Sequence, residues 1–316
     1  MLTGIASLEP LAGGGAPRLD PGRCLRGRFG RTSCRRCLDA CPAGAIGLAP
    51  RLPSVKAGAC TGCRRCEASC PAGALGDPEE LDRAIRALRD RPHPVLGCRV
   101  PDAEAHARVA CLGLLDLEAL LALAATFPGG LTLNAVPCSA CPGAAIVPAL
   151  RRSLETLAAM PGYPAGRLRL ADSRAALAFA ADPLSRREFL SILRRRTATA
   201  AGTALAPAPP APAEPYSAKR LPAGRRALLR VMPRLPPALR AAAEASFFPT
   251  LGFSPECRRC TGCAGVCPTG ALTTDDGDPP RPCFERSACT GCGLCVEFCR
   301  RSAPVLTTLP AATACG

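Results

Sequence analysis

The chain has 316 residues, 22 of them Cys, but only 2 His, no Trp and an aromatic share of 3%. That balance disfavours histidine-based catalysis, His-rich zinc sites and an aromatic stacking platform for single-stranded nucleic acid. The formal charge of +15 is almost wholly Arg, Lys56 and Lys219 being the two lysines, which reads as a compositional bias rather than a phosphate-binding design, so charge alone does not call for nucleic acid.

Length gives a prior of two or three domains, and 48% hydrophobic residues are enough to fold them. The opening MLTGIASLEPLAGGG lacks the positive stretch and apolar core of a secretory signal. The most apolar stretch, Leu112 to Phe127, is broken by Asp116 and Glu118 and is shorter than the roughly 20 residues of a membrane span. The expectation is a cytoplasmic chain with no membrane span and no nucleic-acid partner. In a reducing compartment, Cys clusters mean metal rather than disulfides.

The cysteines fall into three groups, Cys24 to Cys70, Cys98 to Cys141 and Cys257 to Cys299, with Cys315 alone at the tail. In the first group Cys60, Cys63, Cys66 and Cys70 follow the spacing C-x2-C-x2-C-x3-C-P, preceded by Cys34, Cys37 and Cys41-Pro. Asp77-Pro-Glu-Glu80 reads as a helix start, with Asp77 as N-cap and Glu80 at the third position.

The middle segment alternates strand and helix. Strands are expected over His93–Cys98, Arg108–Leu112, Leu131–Val136 and Arg167–Ala171. Asp116 can cap a helix through about Thr126, and Gly143 to Met160 reads as another, whose start Pro148 could mark. The alternation implies a small α/β domain with a mainly parallel sheet. Cys98 and Cys111 then end two strands, and Cys138-Ser-Ala-Cys141 follows a third. All four collect at the carboxyl edge of the sheet, where ligands of open α/β folds bind.

Ser185-Arg186-Arg187-Glu188-Phe189-Leu190 has the form of a twin-arginine signal, but Arg194 to Arg196 break the apolar run that should follow, so it reads as a basic helix. Thr197 to Pro215 is an Ala/Pro-rich spacer. The third group then repeats the first. Cys257, Cys260, Cys263 and Cys267 form a second complete run, and Cys289, Cys292, Cys295 and Cys299 a third, with Arg300 in place of Pro. The phrases Cys41-Pro-Ala-Gly-Ala, Cys70-Pro-Ala-Gly-Ala and Cys267-Pro-Thr-Gly-Ala are one phrase three times. Three Cys two residues apart wrap one face of a cubane. The fourth lies past a turn and faces the partner cluster.

Over about residues 20–80 and 250–305 these runs resemble the bacterial two-[4Fe–4S] ferredoxins, a pairing of the polyferredoxin type. The resemblance implies cross-ligation. One cluster takes Cys257, Cys260, Cys263 and Cys299, and another takes Cys289, Cys292, Cys295 and Cys267. A third takes Cys60, Cys63, Cys66 and Cys41. The fourth takes Cys34, Cys37 and Cys70, but Arg31 stands where its remaining Cys is expected. Cys24 completes it if residues 25–33 bulge out; otherwise a three-iron cluster results. Cys283 and Cys315 are spare thiols. The strand-linked Cys98, Cys111-Leu-Gly-Leu-Leu-Asp116 and the CxxC of Cys138 and Cys141 resemble the delta subunit of methyl-viologen-reducing hydrogenases, which implies a [2Fe–2S] cluster there.

The fold expected is α+β, two ferredoxin-like dicluster domains (18–80 and 250–305) flanking a small α/β domain with a mainly parallel sheet (90–183), with a linker over 197–224. The function expected is a single-electron relay through four [4Fe–4S] clusters and a candidate [2Fe–2S] cluster. Its partners would be redox proteins such as hydrogenase, reductase or dehydrogenase subunits. The alternatives are the electron-input subunit of an oxidoreductase with thiol/disulfide chemistry at the middle cysteines, and an accessory ferredoxin for maturation of another metalloenzyme. No phosphate-binding loop, dinucleotide fingerprint or hydrolase motif occurs, so no stand-alone enzyme is indicated.

Overall fold

A computed structural model describes residues 15–100, 103–180 and 218–307. The Ser185–Leu190 stretch, the Thr197–Pro215 spacer and Cys315 lie outside the described residues.

The two outer cysteine groups fold on one plan. In the first, the hairpin of β1 (Ile46–Ala49) and β2 (Leu52–Val55) separates Cys41 from Cys60, and an antiparallel bridge between Leu19 and Leu75 closes the ends. Between the groups lies a parallel sheet of β3 (Val95–Cys98), β4 (Ala107–Val109), β5 (Leu131–Asn134) and β6 (Leu168–Ala171), in the order β4-β3-β5-β6. In the third group β7 (Thr250–Phe253) pairs antiparallel with β10 (Pro304–Thr307), enclosing the hairpin of β8 (Leu272–Thr274) and β9 (Pro282–Phe284). The chain is thus a mixed helix and strand fold, with a four-strand sheet parallel throughout.

Three local expectations are corrected. The helix Glu80–Leu88 has Glu79 at its N-cap position, not Asp77. Asp77 instead accepts from the Glu79 N–H at 2.9 Å, a turn that competes with the cap. The second strand ends at Val109, and Cys111 is the extended residue that starts the 3-10 turn Leu112–Leu114. The helix expected from Gly143 begins at Ile146 and holds Pro148 within its first turn, where the missing N–H costs no helical bond. As expected, Asp116 caps the helix Leu117–Thr126 by accepting from the Ala119 N–H at 2.7 Å.

That helix is apolar all round, with Ala119 through Ala124 all buried. One face meets the sheet and the other meets the helix Ala223–Val231, whose Ala227 and Leu228 enter the same core. A helix apolar on every side needs cover on both. The cover comes from beyond the spacer.

Residues 218–226, at the end of the expected linker, form an anchored strap. Arg28 donates to the Ala218 carbonyl at 2.7 Å and Arg23 to the Arg220 carbonyl at 3.0 Å. Lys219 Nζ donates to the carbonyls of Ala264, Gly265 and Cys267 at 3.1, 2.6 and 2.7 Å. Arg226 donates to Asp82 at 2.7 Å and to the Pro78 carbonyl at 2.6 Å. Arg225, 1% exposed, donates to Glu118 and to the carbonyls of Phe247, Ser287 and Cys289. One segment therefore ties all three cysteine groups together.

Candidate metal centres

The repeated Cys-Pro-x-Gly-Ala phrase has a common backbone shape. Gly44, Gly73 and Gly270 all lie in the left-handed region, at φ of 57°, 55° and 78°. A side chain is strained there, which is why the phrase requires Gly. The turn aims the following amide back at the sulfur: Ala45 N–H donates to Cys41 Sγ at 3.2 Å and Ala74 N–H to Cys70 Sγ at 3.3 Å. Hydrogen bonds of this kind favour the thiolate.

The structure brings distant cysteines together in sets. The charge of Cys37 is felt alongside those of Cys70, Cys24 and Cys34. Cys24 is buried, and the turn Leu25–Arg28 takes up the inserted residues while Arg26 Nε donates to the Cys34 carbonyl at 2.6 Å. Cys66 lies near Cys63, Cys37 and Cys60, and Cys41 packs into the same small core as Cys37, Cys66 and Cys70. In the third group, Cys267 approaches Cys289, Cys292 and Cys295, and Cys263 approaches Cys260 and Cys257. Cys299 follows the helix Leu294–Phe298, half-buried. Cys283 is exposed on β9, apart from these sets.

Burial, and then the charges of neighbouring thiols, push Cys37, Cys292 and Cys295 up to about 12. Cys66 is raised as well, by burial and then by Glu67 and its neighbouring thiols. Thiols so placed ionise only beside a strong positive centre. Two further observations fit an iron–sulfur group. Cys267, Cys289, Cys292 and Cys295 line one cavity, and in the same wall Thr290 Oγ1 is buried with no hydrogen-bond partner.

The middle cysteines also converge. Cys98, Cys111, Cys138 and Cys141 line one cavity beyond the carboxyl ends of β3, β4 and β5. Burial, then Cys98, Cys138 and Cys63, push Cys111 up to about 12; burial, then Cys98 and Cys141, push Cys138 up to about 11. Gly143 N–H donates to Cys141 Sγ at 3.3 Å. Thr61, Gly62 and Cys63 of the first group line the same cavity.

Sequence reasoning missed Lys219 and Arg225, which grip the third group's cysteine loops. Lys219 could have been noticed as one of only two lysines, whereas nothing marks Arg225 among so many arginines. Among the described residues no helix is long and apolar enough to cross a membrane.

No curated protein and no solved structure matches the chain. Residues 30–74 match the family model of the 4Fe-4S dicluster domain. The match takes in Cys34, Cys37, Cys41, Cys60, Cys63, Cys66 and Cys70, while Cys24 lies before it. The chain therefore contains a ferredoxin-like 4Fe-4S dicluster domain at residues 30–74, and its role is an iron–sulfur one in electron transfer.

Proposed function

We propose that the chain is a polyferredoxin, a relay of single electrons between redox proteins, built from dicluster units at 18–80 and 250–305 with a cysteine-bearing α/β unit at 90–183 between them in sequence. The four [4Fe–4S] ligand sets are Cys24/Cys34/Cys37/Cys70, Cys41/Cys60/Cys63/Cys66, Cys257/Cys260/Cys263/Cys299 and Cys267/Cys289/Cys292/Cys295. Cys98, Cys111, Cys138 and Cys141 hold a further centre, as in the hydrogenase delta subunit that the middle segment resembles. We place the chain in the cytoplasm, with a hydrogenase, reductase or dehydrogenase subunit as partner.

Bound clusters supply one-electron oxidation and reduction. The chain supplies ligands, burial and amide donors to sulfur, which set the potential. The observation that carries this reading is the crossing between runs: Cys70 packs into one small core with Cys37, and Cys267 lines one cavity with Cys289, Cys292 and Cys295. Crossing is what two facing cubanes require.

Protein purified without oxygen should hold about 16–18 iron per chain, the upper value including a [2Fe–2S] centre in the middle. Zinc in stoichiometric amount with little iron would overturn the reading.

A further inference from the structure

In chain order the middle cysteines come second, between the two ferredoxin-like groups. In space they do not lie between them. Resting on the relay reading above, we propose that the five sets form one unbranched electron path with the middle set at its end. The order is Cys98/Cys111/Cys138/Cys141, then Cys41/Cys60/Cys63/Cys66, then Cys24/Cys34/Cys37/Cys70, then Cys267/Cys289/Cys292/Cys295, and last Cys257/Cys260/Cys263/Cys299.

Each junction rests on packing. At the first, Cys63 serves the neighbouring set and also lines the middle cavity. Gly113 approaches so closely that a Cβ there would stand 2.1 Å from the Cys63 carbonyl oxygen, and a Cβ on Gly143 would meet Cys63 Cβ at 3.4 Å and Cys141 Sγ at 3.6 Å. At Gly113 only a residue without a side chain allows this approach, whereas a Cβ on Gly143 would sit in ordinary van der Waals contact. At the second junction Cys37 and Cys66, from different sets, are buried in one small core.

The third junction joins the two ferredoxin-like groups directly. Leu25, Ala72 and Leu294 form a buried cluster against which Cys34, Cys70 and Cys292 all pack. Around it, Arg36 donates to the Gly291 carbonyl at 3.1 Å, Ser33 Oγ donates to Glu297 at 2.5 Å, and the rings of Phe29 and Phe298 meet edge to face at 5.4 Å. At the fourth junction Cys263, Cys267, Cys289 and Cys295 share one core. Beyond it the path opens to solvent, since Cys260 is exposed. Tunnelling weakens exponentially with distance, so electrons step between touching sets.

The test is electron paramagnetic resonance on the reduced full-length protein, with iron measured on every sample. Neighbouring reduced centres split and broaden one another, and the effect falls steeply with distance. Cys60→Ser removes a ligand of the second set and should narrow the middle centre's signal. Cys257→Ser removes one of the last set and should leave the middle signal unchanged while altering that of the Cys267 set. Gly113→Ala replaces no ligand, but its Cβ would press on the Cys63 carbonyl; in protein that keeps its full iron content it should weaken the coupling of the middle centre to its neighbour. A middle signal blind to both Cys60→Ser and Gly113→Ala, or responsive to Cys257→Ser, overturns the order while the relay reading stands. Wild-type protein without the expected iron overturns both.

Discussion

Arg225 holds Glu118 by two parallel hydrogen bonds, Nε to Oε2 at 2.7 Å and Nη2 to Oε1 at 2.7 Å. The same guanidinium donates to the Cys289 carbonyl at 2.5 Å and lies 4.9 Å from the centre of the Phe248 ring. The helix beside the parallel sheet is thus linked through one side chain to a cysteine loop of the third group.

Breaking a buried ion pair by removing one partner strands the other charge. Arg225→Met should therefore lower the stability of the cluster-loaded protein by about 3–5 kcal/mol, read by guanidinium denaturation without oxygen. Arg225→Lys should fall between the two, because a single ammonium cannot reproduce the fork. A Met variant as stable as wild type would contradict this account of the strap.

Cys24 lies buried beside Cys34, Cys37 and Cys70 despite the inserted residues before Cys34. Cys24→Ala should give a three-iron signal in oxidised protein, or lose one centre. Cys283→Ala should change nothing, since that thiol is exposed and apart from the sets. A spectrally silent Cys24→Ala would show that the fourth ligand comes from elsewhere.

Burial, and then the charge of Glu118, push the Asp116 carboxyl up to about 7. An unfolded Asp titrates near about 3.9. The folded chain thus keeps a proton that the unfolded chain releases, and this contribution, full below the lower value, is lost as pH rises through the upper. Asp116→Asn can keep the cap on Ala119 without the charge. Its stability relative to wild type should grow by about 1 kcal/mol between pH 6 and pH 8. A difference flat with pH would place the titration elsewhere.

Loss of any one of Cys98, Cys111, Cys138 or Cys141 should remove the middle centre and spare the other four, measured as about 2 iron lost per chain for a [2Fe–2S] group. The whole chain is the right vehicle. A fragment ending before the spacer lacks the helix Ala223–Val231, which covers one side of the buried Leu117–Thr126 helix. If Cys98→Ala or Cys111→Ala left the iron untouched while Cys138 and Cys141 cycled as a disulfide, thiol chemistry would replace the relay at this site.

The ligand runs were legible because their geometry is local. A spacing of two and three residues fixes where each sulfur points, and the Gly of each Cys-Pro-x-Gly-Ala phrase records the left-handed turn behind it. Strand and helix alternation likewise exposed the parallel sheet and the Asp116 cap, since periodicity is written within a few residues. The end of β4 and the start of the Glu80 helix were misread because turn geometry outcompeted the expected cap and strand at those points.

What the sequence alone could not carry depends on which surfaces meet. Residues 218–224 read as the end of the linker; only in the fold does Lys219 reach three carbonyls and Arg225, just past it, bridge Glu118 to Cys289. The succession of the cysteine sets is hidden in the same way, because chain order puts the middle set between two groups that touch each other directly. The spacing of each cysteine run is a short-range feature, so the sequence alone carried the candidate ligands. Adjacency follows from burial of apolar surface between residues far apart in the chain, such as Leu25, Ala72 and Leu294, and only the tertiary structure decided it.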